Sequence, residues 1–262
     1  MSKKLYVFPD VGRTGLCNML FPWARAVLFA REVKCAVIAP RWTKLLRVGQ
    51  WLRNERDKRY YTGQFTNTGY VSGLRRLGLL LLSLCSRVDE HKAEMRPRGG
   101  VVVFKGLGQY FEALSGESEY IKNELLRIVN PNILIRLAQL PSRFIGVHVR
   151  GGDFASTGQS LSMDYYRRGI AAARRKVGED VPVLIFSDSR PQELRPLIEL
   201  KDVCIMPSAP AIHDVLALSR SIALVGTNHS SFSEWASFLG GMPSFWNAEG
   251  RSPSKGINTI LV

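Results

Sequence analysis

Along this chain, short apolar runs alternate with stretches whose apolar residues recur at helical spacing. Leu5 to Phe8 reads as a strand, and Cys35 to Ala39 as the next. Between them Leu20, Trp23, Ala24, Val27 and Leu28 fall on one face of a helix, which makes a β-α-β unit. Residues 41–100 lose this regularity, apart from one helix expected around 73–86, and residues 101–104 (VVVF) restore a strand. Helical spacing returns over about 117–129 and 131–139. The second half is more regular. Strands are expected at 144–149, 181–188, 203–206 and 222–226, and helices at 163–177, 191–200, 213–220 and 230–240. Pro191 suits a first helical turn, and Gly240 with Gly241 a helix stop. Its strands are almost continuously apolar, as in parallel sheets covered on both faces. Strands alternating with helices imply right-handed crossovers. The pattern therefore predicts an α/β protein of two Rossmann-like lobes with parallel sheets, over residues 1–140 and 141–262.

Composition supports a packed protein. The 262 residues are 45% hydrophobic and 10% aromatic, which places the chain outside the disordered class. The formal charge is +14, and much of it has one source. Residues 41–100 hold thirteen Arg and Lys against five acids, interleaved with Trp51, Tyr60, Tyr61, Phe65 and Tyr70. Such a segment suits an anionic partner. A solvated surface is the plainer reading, and contact with an acidic membrane the sharper one. The four cysteines, 17, 35, 85 and 204, are widely spaced, so neither a zinc site nor a disulfide framework is expected. Reduced thiols suit a cytoplasmic setting. The N-terminus lacks a signal-peptide pattern, and Leu77 to Cys85 is far shorter than the roughly 20 residues of a membrane span. No helix-turn-helix or zinc-finger pattern marks a nucleic-acid partner.

Ligands of open parallel sheets bind beyond the carboxyl ends of the strands. Four such ends in the second half carry polar residues. They are His148, Arg150, Gly151, Gly152 and Asp153; Ser187, Asp188 and Ser189; His213 and Asp214; and Thr227 to Ser231. Helix capping alone would account for Asp188 or for Ser230 and Ser231, and a surface ion pair for Arg150 with Asp153. Together they suit one anionic ligand. The amides and hydroxyls of Ser230 and Ser231 at a helix start offer donors to a phosphate. Arg150 adds a planar donor fork, and the glycines beside it allow close approach. Asp214 could accept two hydrogens from a guanine edge. A nucleoside diphosphate would use all of these. A P-loop and a G-x-S-x-G elbow are both missing, and His148, Arg150 and Asp153 are too few ligands for a transition metal.

Four stretches, in order, resemble one family. VHVRGGD at 147–153 resembles the H-x-R-R-x-D motif of the α-1,2-fucosyltransferases of glycosyltransferase family 11. IFSDS at 185–189 is similar to their strand ending F-S-D-D. Residues 214–240, DVLALSRSIALVGTNHSSFSEWASFLG, are similar to their D-x-x-x-L-S segment followed by N-S-S-F-S-W-W. GLCNMLFPWARAVLFA at 15–30 resembles their G-L-G-N-Q-L-F start. The chain departs from the pattern at Cys17, Met19, Gly151, Ser189 and Glu234, and Gly151 stands where a second arginine is usual.

The resemblance implies a GT-B fold and an inverting, metal-independent transfer of fucose from GDP-fucose to a glycan hydroxyl, with no cofactor. Surface-polysaccharide synthesis, a lipid-linked acceptor and peripheral contact with the inner face of a membrane are plausible by the same resemblance. It implies that Arg150 holds the diphosphate, that His148 and Asp214 meet the guanine and ribose, and that Ser230 and Ser231 bind the β-phosphate. Gly151, Asp188 and Phe232 fall in the same donor-side motifs. Gly15 and Asn18 would face the sugar and acceptor. Asp153 would orient Arg150 or act as base. Lys105, Arg13 and Arg25 are candidates to replace the missing cation. Two alternatives stay open: the same fold with another nucleotide sugar, and a non-catalytic protein that docks to membranes through 41–100.

Overall fold

A computed structural model describes residues 4–43, 61–84, 87–90, 99–151, 161–249 and 252–262. Packing divides it into two compact units between Asn130 and Pro131.

The first unit is built on a four-stranded parallel sheet. Its strands are β1 (Leu5–Asp10), β2 (Ala36–Val37), β3 (Arg87–Asp89) and β4 (Gly100–Lys105), in the order β2-β1-β4-β3. Helix α1 (Leu16–Val33) covers the sheet and buries Leu20, Trp23, Ala24 and Val27, the stripe expected from its spacing. Pro22 lies inside α1, and its missing N–H leaves the Asn18 carbonyl without a helical donor. Among the described residues this unit's other α-helices are α2 (Gly73–Leu82) and α3 (Ser118–Ile128). Strand β3 was not legible in the sequence, because three residues with a single apolar one carry no period.

The second unit begins with α4 (Pro131–Ala138), which packs on a later helix of the same unit. Six parallel strands follow: β5 (Ile145–Val149), β6 (Val183–Ser187), β7 (Val203–Ile205), β8 (Ala223–Val225), β9 (Ser244–Trp246) and β10 (Ile260–Leu261). Their spatial order is β10-β9-β8-β5-β6-β7. The chain thus runs outward from β5 through β6 to β7, then returns to β8 and runs outward the other way. The sheet has the Rossmann order, with its reversal between β5 and β8.

After α4, the α-helices of this unit among the described residues are α5 (Met163–Val177), α6 (Arg195–Ile198), α7 (Ala211–Leu218) and α8 (Ser231–Gly240). The helix expected over 191–200 shortens to α6, because residues 191–194 turn instead. Tyr165, Tyr166, Ile170 and Ala173 of α5 pack on Val147, Ile185 and Val225 of the sheet. Gly169 permits that approach, since a Cβ there would lie 2.6 Å from a Val225 methyl. Strands β9 and β10 were missed in the sequence, being three and two residues long. They shelter Trp246, which is fully buried.

Candidate active site

Strand β5 lies between β8 and β6. On the β8 side its ladder pairs Ile145 with Ala223, Gly146 with Leu224 and Val147 with Val225, then stops. On the β6 side pairing continues to His148 with Phe186 and Val149 with Ser187. Strands β5 and β8 therefore part just where the order of the sheet reverses. This is the crevice in which open α/β sheets bind ligands.

Thr227 replaces the lost ladder bonds. Its hydroxyl donates to the His148 carbonyl at 2.7 Å. The same oxygen accepts from the Arg150 amide at 3.3 Å and lies 2.8 Å from the Tyr166 hydroxyl. Since the Thr227 proton is committed to His148, Tyr166 is the donor in that last pair. Burial pushes the Tyr166 phenol up to about 12, so it keeps the proton it donates. The Thr227 amide donates to Ser233 Oγ at 2.9 Å, and Ser233 Oγ lies 2.7 Å from His148 Nδ1. Ser233 Oγ is therefore the group that meets His148 Nδ1; where it donates its proton there, the hydrogen of the neutral imidazole lies on Nε2.

His148 is buried, and its ring stacks on Phe232 with centroids 4.7 Å apart and planes 20° apart. Burial, with the Arg150 charge as a second cause, pushes its pKa down to about 3. It is a neutral hydrogen-bonding ring at physiological pH and cannot supply charge to an anion.

The charge comes from Arg150. Its Nη1 lies 2.6 Å from Asp188 Oδ2, and the other Asp188 oxygen accepts from the Gly151 amide at 2.7 Å. One carboxylate from the end of β6 thus fixes both the guanidinium and the backbone beside it. Both side chains keep some exposure, 20% and 27%. Asp188 is thus one carboxylate that orients Arg150; Asp153, expected to do so or to act as base, lies outside the described residues. The guanidinium is a planar fork of five N–H donors, a group that suits phosphate oxygens.

Helix α8 starts at the end of β8. The side chain of Ser230, its N-cap residue, makes no capping hydrogen bond. Capping alone therefore does not explain this serine. The amides of the first turn, Ser231 to Ser233, have no helical carbonyl to meet, and they open at the crevice with the positive end of the helix. Asn228 is fixed by a reciprocal pair, donating to the Asn247 carbonyl at 2.9 Å and accepting from the Asn247 amide at 3.0 Å. Glu234, which stands where the family pattern has tryptophan, accepts from the amide and hydroxyl of Ser254. Asp214 Oδ1 accepts from His213 Nδ1 at 2.9 Å, so one of its two oxygens is taken by its neighbour.

Gly151 and Ser189, the two departures at this edge, are linked. A Cβ on Gly151 would overlap Ser189 Oγ and lie 3.0 Å and 3.1 Å from Ser189 Cβ and Cα. An arginine at 151 is excluded unless position 189 gives way.

Gly15 and Asn18 belong to the first unit, where Gly15 is the N-cap residue of α1 and Asn18 lies in its first turn. Two of the three candidates for a replacement cation, Lys105 and Arg25, have acidic partners in this unit. Lys105 pairs with Asp89 at 3.0 Å. Arg25 is buried against Glu90 through two hydrogen bonds of 2.9 and 3.0 Å. Among the described residues no group of three or more His, Cys, Asp and Glu is placed to hold a metal ion.

No family model and no curated protein matches the chain. Solved structures do match. The fucosyltransferase NodZ from Bradyrhizobium aligns with a TM-score of 0.57 at 16% identity, covering 92% of this chain and 93% of that one. A NodZ α-1,6-fucosyltransferase soaked with GDP-fucose aligns at 0.56 and 18% identity, over 92% and 94%. POFUT1 in complex with GDP aligns at 0.53 and 14% identity, over 100% and 98%. The fold is GT-B-like. At such identities the likeness concerns the path of the chain, and this chain's own residues must carry the chemistry.

Two results test the site. NMR of the imidazole nitrogens is expected to show His148 neutral, with its hydrogen on Nε2, down to about pH 5; a ring that protonates near 6.5 would contradict the buried network. Gly151→Ala is expected to destabilise the protein, and Ser189→Gly to relieve much of that loss. A double-mutant cycle by urea unfolding should give a coupling of about 0.5–3 kcal/mol, and additive effects would refute the steric link.

Proposed function

We propose that this protein transfers fucose from GDP-fucose to a glycan hydroxyl, by inversion and without a metal. The observation that carries the reading is the crevice between β5 and β8. There Arg150, held by Asp188, and the uncapped start of α8 lie at the two strand ends that meet at the reversal of the sheet. A nucleotide diphosphate suits both. The likeness to NodZ and POFUT1 structures, solved with GDP or GDP-fucose, supports the choice of nucleotide.

In such a transfer the acceptor oxygen forms a bond to the anomeric carbon as the bond from that carbon to the β-phosphate oxygen breaks. The electron pair leaves with GDP, and negative charge grows on the diphosphate. Arg150 and the amides of Ser231 to Ser233 would meet that growing charge, where preorganised donors count most. Neutral His148 would donate from Nε2 to the nucleotide without adding charge. The hydroxyl proton passes to a base, for which Asp153 is the carboxylate offered by the sequence motif. Gly15 and Asn18 are assigned to the sugar and acceptor side by that motif as well. The α-1,2 linkage rests on the sequence motifs, and one structural neighbour is an α-1,6 enzyme.

The altered pair Gly151 and Ser189 favours a second reading, with the same chemistry on another nucleotide sugar. Titration calorimetry with GDP, UDP and their sugars separates the two. GDP and GDP-fucose are expected to bind. Arg150→Ala is expected to weaken GDP about 10–100-fold, the worth of a charge-assisted hydrogen bond, and to lower transfer by about 100-fold or more. Failure of GDP to bind at millimolar concentration, or unchanged transfer by Arg150→Ala, would overturn the reading.

A further inference from the structure

Helix α2 of the first unit carries an exposed apolar face. Leu74, Leu77, Leu81, Leu82 and Leu84 are all exposed, Leu74 and Leu82 at 86% and 87%. They are five of the nine exposed large hydrophobics among the described residues, gathered on one ten-residue helix and its end. Positions 74, 77, 81 and 84 step by three and four, which keeps them on one face. The opposite face is already in use. Leu79 and Leu80 pack on Ile38, Val101 and Val103 of the sheet, and Ser83 is buried. A helix resting on a sheet ordinarily turns polar residues outward, and this one turns leucines outward instead.

Charge around the face indicates what covers it. Arg75 and Arg41 are exposed. Arg76 donates to the Ala39 carbonyl at 2.7 Å and sits over the Phe8 ring. Its pKa is lowered by burial and by the nearby Arg41 charge, so cations gather here despite their repulsion. At the other end of the helix, the exposed Arg87 donates to Ser83 Oγ and to the Leu80 carbonyl. The carboxylates next in sequence are committed, Asp89 to Lys105 and Glu90 to Arg25. A second copy of the chain would set this cationic rim against another like it. A bilayer with anionic headgroups offers an apolar layer for the leucines and negative charge for the arginines.

We propose that α2 docks this protein in the plane of an anionic membrane surface, with its leucines among the upper acyl chains and Arg41, Arg75 and Arg87 at the headgroups. Ten residues are about half of what a bilayer span requires, so the helix lies on the membrane and does not cross it. The inference is independent of the donor reading.

Co-sedimentation with vesicles tests it. The whole protein is expected to bind phosphatidylcholine vesicles that contain phosphatidylglycerol, to bind phosphatidylcholine alone several-fold less, and to be released by raised salt. The double variant Leu77→Ser, Leu81→Ser is expected to lose at least about tenfold in partition, with an unchanged circular dichroism spectrum and unfolding midpoint. Arg75→Glu is expected to lose about fivefold or more. No binding to the phosphatidylglycerol vesicles, or equal binding by the leucine variant, would overturn the proposal. So would a dimer in sedimentation velocity that the leucine changes disperse, since the face would then belong to a second copy.

Discussion

The parting of β5 from β8 is the constraint on which the candidate site rests. Two parallel strands that stop pairing leave amides and carbonyls at their ends, and buried backbone groups need partners. Thr227 supplies them from one side chain, donating to the His148 carbonyl and accepting from the Arg150 amide. The rest of the site follows from that knot. Ser233, bonded to the Thr227 amide, is the hydrogen-bond partner of His148 Nδ1. Tyr166 anchors Thr227 from α5. Arg150, one residue past β5, is turned toward Asp188 at the end of β6. A crevice closed by hydroxyl groups on its floor leaves its cationic and amide donors at the mouth, where an anion can reach them.

Much of the fold was legible in the sequence because its signals were long and apolar. Strand β5 is buried at every residue, and the stripe on α1 repeats over several turns. The elements that escaped are those where tertiary contact, and not pattern, makes the strand. Residues 244–246 pair because β8 lies beside them, and 260–261 because β9 does. No local period could announce them.

The site divides in a similar way. Charged residues at strand ends stand out, so Arg150, Asp188 and the start of α8 could be picked from sequence. Thr227, Ser233 and Tyr166 could not be assigned roles, because a hydroxyl looks the same whether it caps a helix, faces water or fixes a histidine. The paired tyrosines 165–166 were the one available hint, being large polar aromatics on the inner face of an amphipathic helix. One partner of Arg150 was not legible in the sequence. Asp153 is nearer along the chain, but Asp188 is brought beside it by the pairing of β5 with β6. Gly151 reads differently once Ser189 is seen against it. A side chain at 151 and the serine at 189 would claim the same space.

The account stands on a diphosphate held between Arg150 and the first turn of α8, and a crystal structure with GDP bound tests it most directly. Phosphate oxygens are expected within hydrogen-bonding distance of the Arg150 guanidinium and of the Ser231 to Ser233 amides, with His148 Nε2 donating to the nucleotide. GDP bound away from the β5–β8 crevice, or seated there with its phosphates turned from Arg150, would contradict it.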